Sequence, residues 1–261
     1  MSNKIEIFQV DAFTHETFKG NPAAVCPLQR WLDDDMLQAI ANENNLSETA
    51  FFVPEGDHFH IRWFTPTNEV DLCGHATLAT AFVIFNHFNE LEHNLKFLSA
   101  SGYLYVQRLD EWIQLNFPSS QLRPITPSAT LLKCFPERPV ECYRSDEYLL
   151  VYPSEEIIRE MQPDFDNIRL LDLNGVIITA PGITADFVSR FFAPKIGIDE
   201  DPVTGSAHCV LTPYWSKRLN KNNLIAYQVS KRGGVIHCMN AGERTLIAGQ
   251  AVEFMRGVIQ L

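Results

Sequence analysis

The side chains with the widest chemical range gather in two short stretches of the chain. Cys73 and His75 stand in the first, and Asp201, Ser206 and His208 in the second. The set holds acids, bases and hydrogen-bond donors, and none of it has the spacing of a metal-ligand motif. A thiol and an imidazole two positions apart have the composition of an activated nucleophile. At i and i+2 on a helix start, however, Cys73 and His75 are expected to point in different directions. One more carboxylate, Glu48, stands in Asn44-Asn45-Leu46-Ser47-Glu48-Thr49-Ala50-Phe51, between a helix and a strand of apolar residues. By composition alone it is a loop glutamate, and such groups are mostly solvated.

The elements that carry these groups repeat. Residues 62–66 read Arg-Trp-Phe-Thr-Pro and residues 190–194 read Arg-Phe-Phe-Ala-Pro. Each stretch then passes through an acidic loop, Asn68-Glu69-Val70-Asp71 or Asp199-Glu200-Asp201, into Gly74-His75-Ala76 or Gly205-Ser206-Ala207 and a helix. Strand, proline, acidic loop, glycine and helix recurring at half the chain length point to two copies of one folding unit. The alternative is two unrelated strand-to-helix turns. A glycine at such a turn lets backbone N–H groups approach a ligand, and the first helical turn leaves those donors unpaired with partial positive charge. Copies packed about a pseudo-twofold axis would turn both helix starts toward one cleft and hold a carboxylate-bearing substrate there. Ordinary capping by Asp71 and Thr204 is the plainer account of the same residues. Lys231-Arg232-Gly233-Gly234 adds a cation beside a flexible backbone, against the alternative of a solvated hairpin turn.

Period-two alternation predicts strands near 5–11, 49–53, 58–64, 103–108 and 111–117, and helices over 33–44 and 74–88. Pro118, Pro124 and Pro127 interrupt both patterns and mark a boundary. Beyond them strands are expected near 140–144, 148–151, 175–180, 187–192 and 225–230, with helices at 154–161 and 205–219; 15–19 and 164–171 read as loops. The expected domains are therefore 1–118, with a helix from Gly74, and 119–261, with a helix from Gly205.

Composition limits the partners. The chain has 261 residues, 46% of them hydrophobic, and a formal charge of −11 with no basic stripe, which excludes nucleic acid as a partner. The first ten residues lack a secretory h-region, and the apolar run 79–85 is far shorter than the roughly 20 residues that span a bilayer. Six scattered cysteines without CxxC fit reduced thiols in a cytoplasmic protein. His58 and His60 face one side of a strand, a geometry zinc can use, but with no third ligand nearby they read as a surface strand.

Several segments together are recognisable: Gly20-Asn21-Pro22-Ala23-Ala24-Val25, Asn45-Leu46-Ser47-Glu48-Thr49, Phe64-Thr65-Pro66, Cys73-Gly74-His75-Ala76-Thr77, Asp199-Glu200-Asp201-Pro202-Val203-Thr204-Gly205-Ser206-Ala207 and Arg232-Gly233-Gly234. In this order, over almost the whole chain, they resemble the phenazine-biosynthesis isomerase family of PhzF-like proteins. The resemblance implies an α+β, diaminopimelate-epimerase-like fold: two pseudo-symmetric domains, each a β-barrel around a central helix, with the active site between them. It implies Glu48 as the acid/base, Asp201 as its supporting aspartate, and His75 and Ser206 as further substrate-contacting groups. Asn21, Ser47, Cys73, Gly74, Thr204, Gly205, Arg232 and Gly233 are the motif positions expected to bind substrate.

The reaction so implied is a cofactor-independent and metal-free proton shift between carbons of a small anionic metabolite in a biosynthetic process, by a homodimer. A rival is a two-base epimerase or racemase using Cys73; its second cysteine is missing from the Asp201-Pro202-Val203-Thr204 turn, and Cys209 lies about a helical turn inside. A non-catalytic binding protein is the other rival, against which a carboxylate in an anion pocket weighs.

Overall fold

The computed structural model of the chain describes residues 4–88 and 93–261. They form two compact units, one of Met1–Asn116 with Ala248–Leu261 and one of Phe117–Ile247.

In the first unit β1 (Lys4–Ala12), β2 (Asn21–Pro27), β3 (Glu48–Glu55), β4 (His58–Phe64), a short β5 (Glu69–Val70), β6 (Asn94–Ser99), β7 (Gly102–Leu109) and β8 (Trp112–Pro118) follow in chain order. Helix α1 (Asp34–Asn44) joins β2 to β3, and α2 (Gly74–Val83) lies between β5 and β6. Parallel strands need a crossover, and these helices supply it: β2 pairs β3 parallel and β4 pairs β6 parallel, while the β1–β2, β3–β4, β6–β7 and β7–β8 pairs are antiparallel. Helix α1 carries Asp34 and Asp35 in its first turn, where the helix dipole favours them, and buries Leu37, Ile40 and Ala41 against Phe51 and Phe64. Helix α2, Gly-His-Ala-Thr-Leu-Ala-Thr-Ala-Phe-Val, has no Asp, Glu, Lys or Arg and is buried around most of its surface, as a central helix must be. Its threonines satisfy their hydroxyls inside the helix, Thr77 on the Cys73 carbonyl and Thr80 on that of Ala76.

The second unit runs β9 (Arg123–Pro124), α3 (Ala129–Lys133), β10 (Glu141–Arg144), β11 (Tyr148–Val151), α4 (Glu155–Glu160), α5 (Phe165–Arg169), β12 (Val176–Pro181), β13 (Phe187–Ala193), β14 (Ile198–Asp201), α6 (Gly205–Leu219), β15 (Asn223–Gln228), β16 (Gly234–Asn240) and β17 (Arg244–Gly249). Here β11 pairs β12 parallel across α4 and α5, and β13 pairs β15 parallel across α6. Leu150, Ile158, Ile168, Val176, Ile178 and Phe192 fill its core. The last strand, β18 (Ala251–Gln260), belongs to the first unit and runs antiparallel along the whole of β1, from Lys4 opposite Gln260 to Ala12 opposite Ala251.

The pairing scheme is the repeat seen in the sequence. Parallel, antiparallel, parallel, antiparallel describes β2-β3-β4-β6-β7 and equally β11-β12-β13-β15-β16. The likeness reaches side chains. Arg62 donates from Nε and Nη2 to Glu69 at 2.7 Å and lies 5.1 Å from the Phe64 ring. Arg190 donates from the same two atoms to Glu200 at 2.7 and 3.0 Å and lies 4.9 Å from the Phe192 ring.

Four expectations need correction. The helix expected over 74–88 ends at Val83 and continues as a π-helical turn, Ile84–Phe88. The 164–171 loop contains α5. Strands β2, β6, β16, β17 and β18 and helix α3 were not expected from the sequence pattern, nor were β5 and β14 in the stretches read as acidic loops or β9 in the proline segment. The unit boundary falls beside Pro118, but 248–261 pack with the first unit because β18 hydrogen-bonds to β1, so the second unit does not extend to 261.

Candidate active site

In the first unit three elements converge on one imidazole. Glu48 opens β3 and lies opposite Ala23 on the parallel β2. Side chains alternate across a strand, so Asn21, Ala23 and Glu48 share one face. Asn21 is placed by the turn before it: Gly20 has φ +61°, and a Cβ there would lie 2.2 Å from the Ala12 carbonyl oxygen, which only glycine avoids. His75, in the first turn of α2, sits between the two polar groups. Its Nδ1 is 3.1 Å from Asn21 Nδ2 and 3.5 Å from Cys73 Sγ, and its Nε2 is 3.1 Å from Glu48 Oε2. Glu48 is 8% exposed and His75 3%.

The Nε2–Oε2 contact has ion-pair distance but not hydrogen-bond alignment, so both atoms are buried with no hydrogen-bond partner among the described residues. Such atoms are costly unless something binds them. Burial by itself lowers the basicity of His75; Cys73 and Glu48 outweigh it and raise the imidazole well above its ordinary 6.5. Burial, with Glu48 adding to it, pushes the Cys73 thiol up to about 11, so it is uncharged near neutrality.

The second unit holds a different set. Asp201 ends β14 and is buried; Thr204 Oγ1 donates to its Oδ2 at 2.6 Å. Gln228, at the end of β15, locks this turn from the other side: its Nε2 donates to the Asp201 carbonyl at 2.8 Å and to Thr204 Oγ1 at 3.0 Å, and its Oε1 accepts from Thr204 N at 2.9 Å. Nothing in the sequence marked Gln228, an isolated amide in a strand. Ser206 is exposed on the first turn of α6. His208 contacts the Thr204 carbonyl through Nδ1 at 2.8 Å, and burial lowers its pKa to about 4, so it is a neutral core histidine.

Thus the first unit brings together Glu48, His75, Cys73 and Asn21, and the second brings together Asp201 and Thr204. Ser47, just before β3, is half-buried, as is Gly74. Gly233 lies in the turn between β15 and β16 with φ +70°, its N–H on Ser230 Oγ at 3.0 Å, and Arg232 beside it is half-buried. The segment is a hairpin turn, but Arg232, Gly233 and Gly234 are half-buried, not solvated. His58 and His60 both contact Glu55, at 3.7 and 3.5 Å.

Two readings of the helix starts are overturned. Cys73 does not diverge from His75: it is the N-cap of α2, with extended backbone at φ −143°, so helical side-chain directions do not apply to it. Capping by Asp71 and Thr204 is absent too, since the N-cap residues are Cys73 and Thr204 and neither side chain accepts from its helix. Ligand atoms of Glu48, Cys73 and His75 lie within 4.8 Å of one another, a proximity that spacing could not show because Glu48 arrives on another strand. The thiol and the carboxylate flank opposite nitrogens of one ring rather than converging on one point, and we assign no metal to them.

The Phenazine biosynthesis-like protein family model matches residues 10–257. The chain belongs to that family. It is 51% identical to a Pseudomonas aeruginosa protein named as an uncharacterized isomerase, over 99% of each chain. A solved PhzF-family protein of Enterococcus faecalis is 48% identical and superposes with a TM-score of 0.96, covering 99% of this chain and 100% of that one. A hydroxyproline epimerase of Agrobacterium vitis shares the fold alone, at 10% identity and a TM-score of 0.64 over 99% of this chain and 93% of that one. Family membership makes the chain an enzyme of isomerase type with an epimerase-like α+β fold. Among the described residues no helix is long and apolar enough to cross a membrane, and all six cysteines are free.

Proposed function

We propose that the chain is a cofactor-independent isomerase that moves a proton between carbon atoms of a small carboxylate-bearing metabolite, with Glu48 as the proton carrier. The observation that carries this reading is the pair of buried polar atoms facing each other without a hydrogen bond, Glu48 Oε2 and His75 Nε2. A base must reach its proton at hydrogen-bond distance, and this carboxylate oxygen is held ready to accept one. His75 supplies an N–H beside the developing enolate charge or relays the proton. The uncapped start of α2 offers backbone donors for an anionic group of the substrate. The same reading gives Asp201, held by Thr204 and so ordered, the orienting of a substrate amine or hydroxyl, and gives Ser206 a substrate contact.

The paired-cysteine alternative is disfavoured by the chemistry of the thiols. Cys73 is pushed to about 11, the N-cap of α6 is Thr204, and Cys209 Sγ is turned back onto the Gly205 carbonyl at 3.8 Å.

The test is solvent deuterium. A panel of small carboxylic acids with acidic C–H bonds is incubated with the protein in heavy water and read by mass spectrometry. Deuterium is expected in at least one compound with the native chain and in none with Glu48→Gln. Equal incorporation by both proteins overturns the role of Glu48, and no incorporation anywhere overturns the isomerase reading for that panel.

A further inference from the structure

A histidine with two ring nitrogens can present either a proton or a lone pair to its neighbour, and which it presents is set by the group on the other nitrogen. We propose that Asn21 is a positioning residue that holds neutral His75 as the tautomer with its proton on Nε2, aimed at Glu48. The proposal rests on the acid/base reading above and deepens it, since it states which tautomer His75 takes once the raised imidazole has given up a proton.

The neighbours of the ring argue for this form. On the Nδ1 side stand the Asn21 amide nitrogen, 3.1 Å away, and the Cys73 sulfur, 3.5 Å away. An amide NH2 can only donate, and a thiol that stays protonated near neutrality can donate as well, so two donors converge on Nδ1 and leave it the acceptor. On the Nε2 side stands Glu48 Oε2, 3.1 Å away and acceptor-only when ionised. Two donors on Nδ1 select it as the lone pair, which leaves the proton of the neutral ring on Nε2, facing Glu48 without a hydrogen bond. Glu48 from β3 and Cys73 from the start of α2 are the titratable groups that face the ring, and Asn21 from β2 is its uncharged polar neighbour.

The site is built to hold Asn21 still. Its side chain is fully buried, it is paired with Ala12 at the start of the β1–β2 ladder, and the turn before it accepts only glycine. Aspartate in its place would favour the imidazolium, and leucine would offer Nδ1 no donor.

The experiment needs no substrate. The full chain labelled with nitrogen-15 histidine is titrated by NMR, with His75→Gln identifying the resonance. In the native protein the neutral form is expected to show a protonated Nε2 and a bare Nδ1. Asn21→Asp is expected to raise the His75 pKa by about one unit or more, as a carboxylate at Nδ1 favours the charged ring. Asn21→Leu is expected to shift the neutral ring toward a mixture of tautomers. A proton on Nδ1 in the neutral native ring overturns the proposal, and so does an unchanged His75 titration in Asn21→Asp. Should the leucine variant not fold, the native and aspartate spectra decide the matter by themselves. Because turnover is not measured, this outcome is separate from that of the Glu48→Gln exchange experiment.

Discussion

At the level of single residues, two carboxylates and a thiol have chemistry set by where they are buried. Glu48→Gln keeps shape and removes the base, and proton exchange into the substrate should fall by about 10²–10⁴-fold, the usual contribution of a general base, measured as the initial rate of deuterium uptake. Cys73→Ser should keep that rate within about tenfold, because a thiol held at about 11 is not a base near neutrality; a loss as large as that of Glu48→Gln would revive the two-base mechanism. Glu147 offers a separate test. Half-buried beside Gly175, it has its pKa raised from 4.5 to about 7, burial being the main cause and Asp146 the lesser. Below about 4.5 the carboxyl is neutral in both states; from there to about 7 the unfolded chain ionises first, so stability falls as pH rises through this window. The loss above it is of order 1–3 kcal/mol once solvent screening is allowed for. Glu147→Gln should remove this slope, seen as a smaller drop in denaturation midpoint between pH 5 and pH 8 than the native chain shows.

At the level of elements, the repeat explains why the chemistry is one-sided. Phe51 pairs with Arg62 and Ile178 with Arg190, and counting back along β3 and toward β12 places Gly175 at the position of Glu48. A Cβ on Gly175 would lie 2.5 Å from the Phe191 ring, so the second unit has no room for a side chain where the first carries its base. Gly175→Ala should therefore destabilise the protein by roughly 1–3 kcal/mol through overpacking, read as a lower urea midpoint with native exchange activity per folded molecule. The motif pairs that revealed the repeat were legible because strand, turn and helix each leave a local pattern. Strand β2, Asn-Pro-Ala-Ala-Val-Cys-Pro, was not legible: two prolines and two alanines carry no strand preference, and β1 and β3 on either side make it a strand. The contact of Cys73 with His75 was missed for a related reason, since it depends on the helix beginning one residue after the cysteine.

For the whole chain, the sequence located the passage between units near Pro118 but could not show that the end of the chain returns to the first unit. The return is a long-range pairing: no clear alternation marks β18 as a strand, and its partner lies at the other end of the sequence. It makes the second unit an insertion between two parts of the first. The consequence is testable with a chain ending at Gln250. Such a chain lacks every hydrogen bond that β18 makes to β1, the guanidinium of Arg256 over the Phe8 ring at 5.1 Å, and the His87–Glu253 contact at 2.6 Å. Phe8 and Val10 are fully buried with β18 in place, and their strand would become an exposed edge. Amides of β1 should then exchange with solvent much faster than in the native chain, while those of β12, between Tyr148–Val151 and Phe187–Ala193 in a core built only from the second unit, should keep most of their protection. Hydrogen exchange read by mass spectrometry separates the two strands. Equal loss of protection in β1 and β12 would mean that the inserted unit depends on the first for its stability, and that its own core is not sufficient to hold it folded.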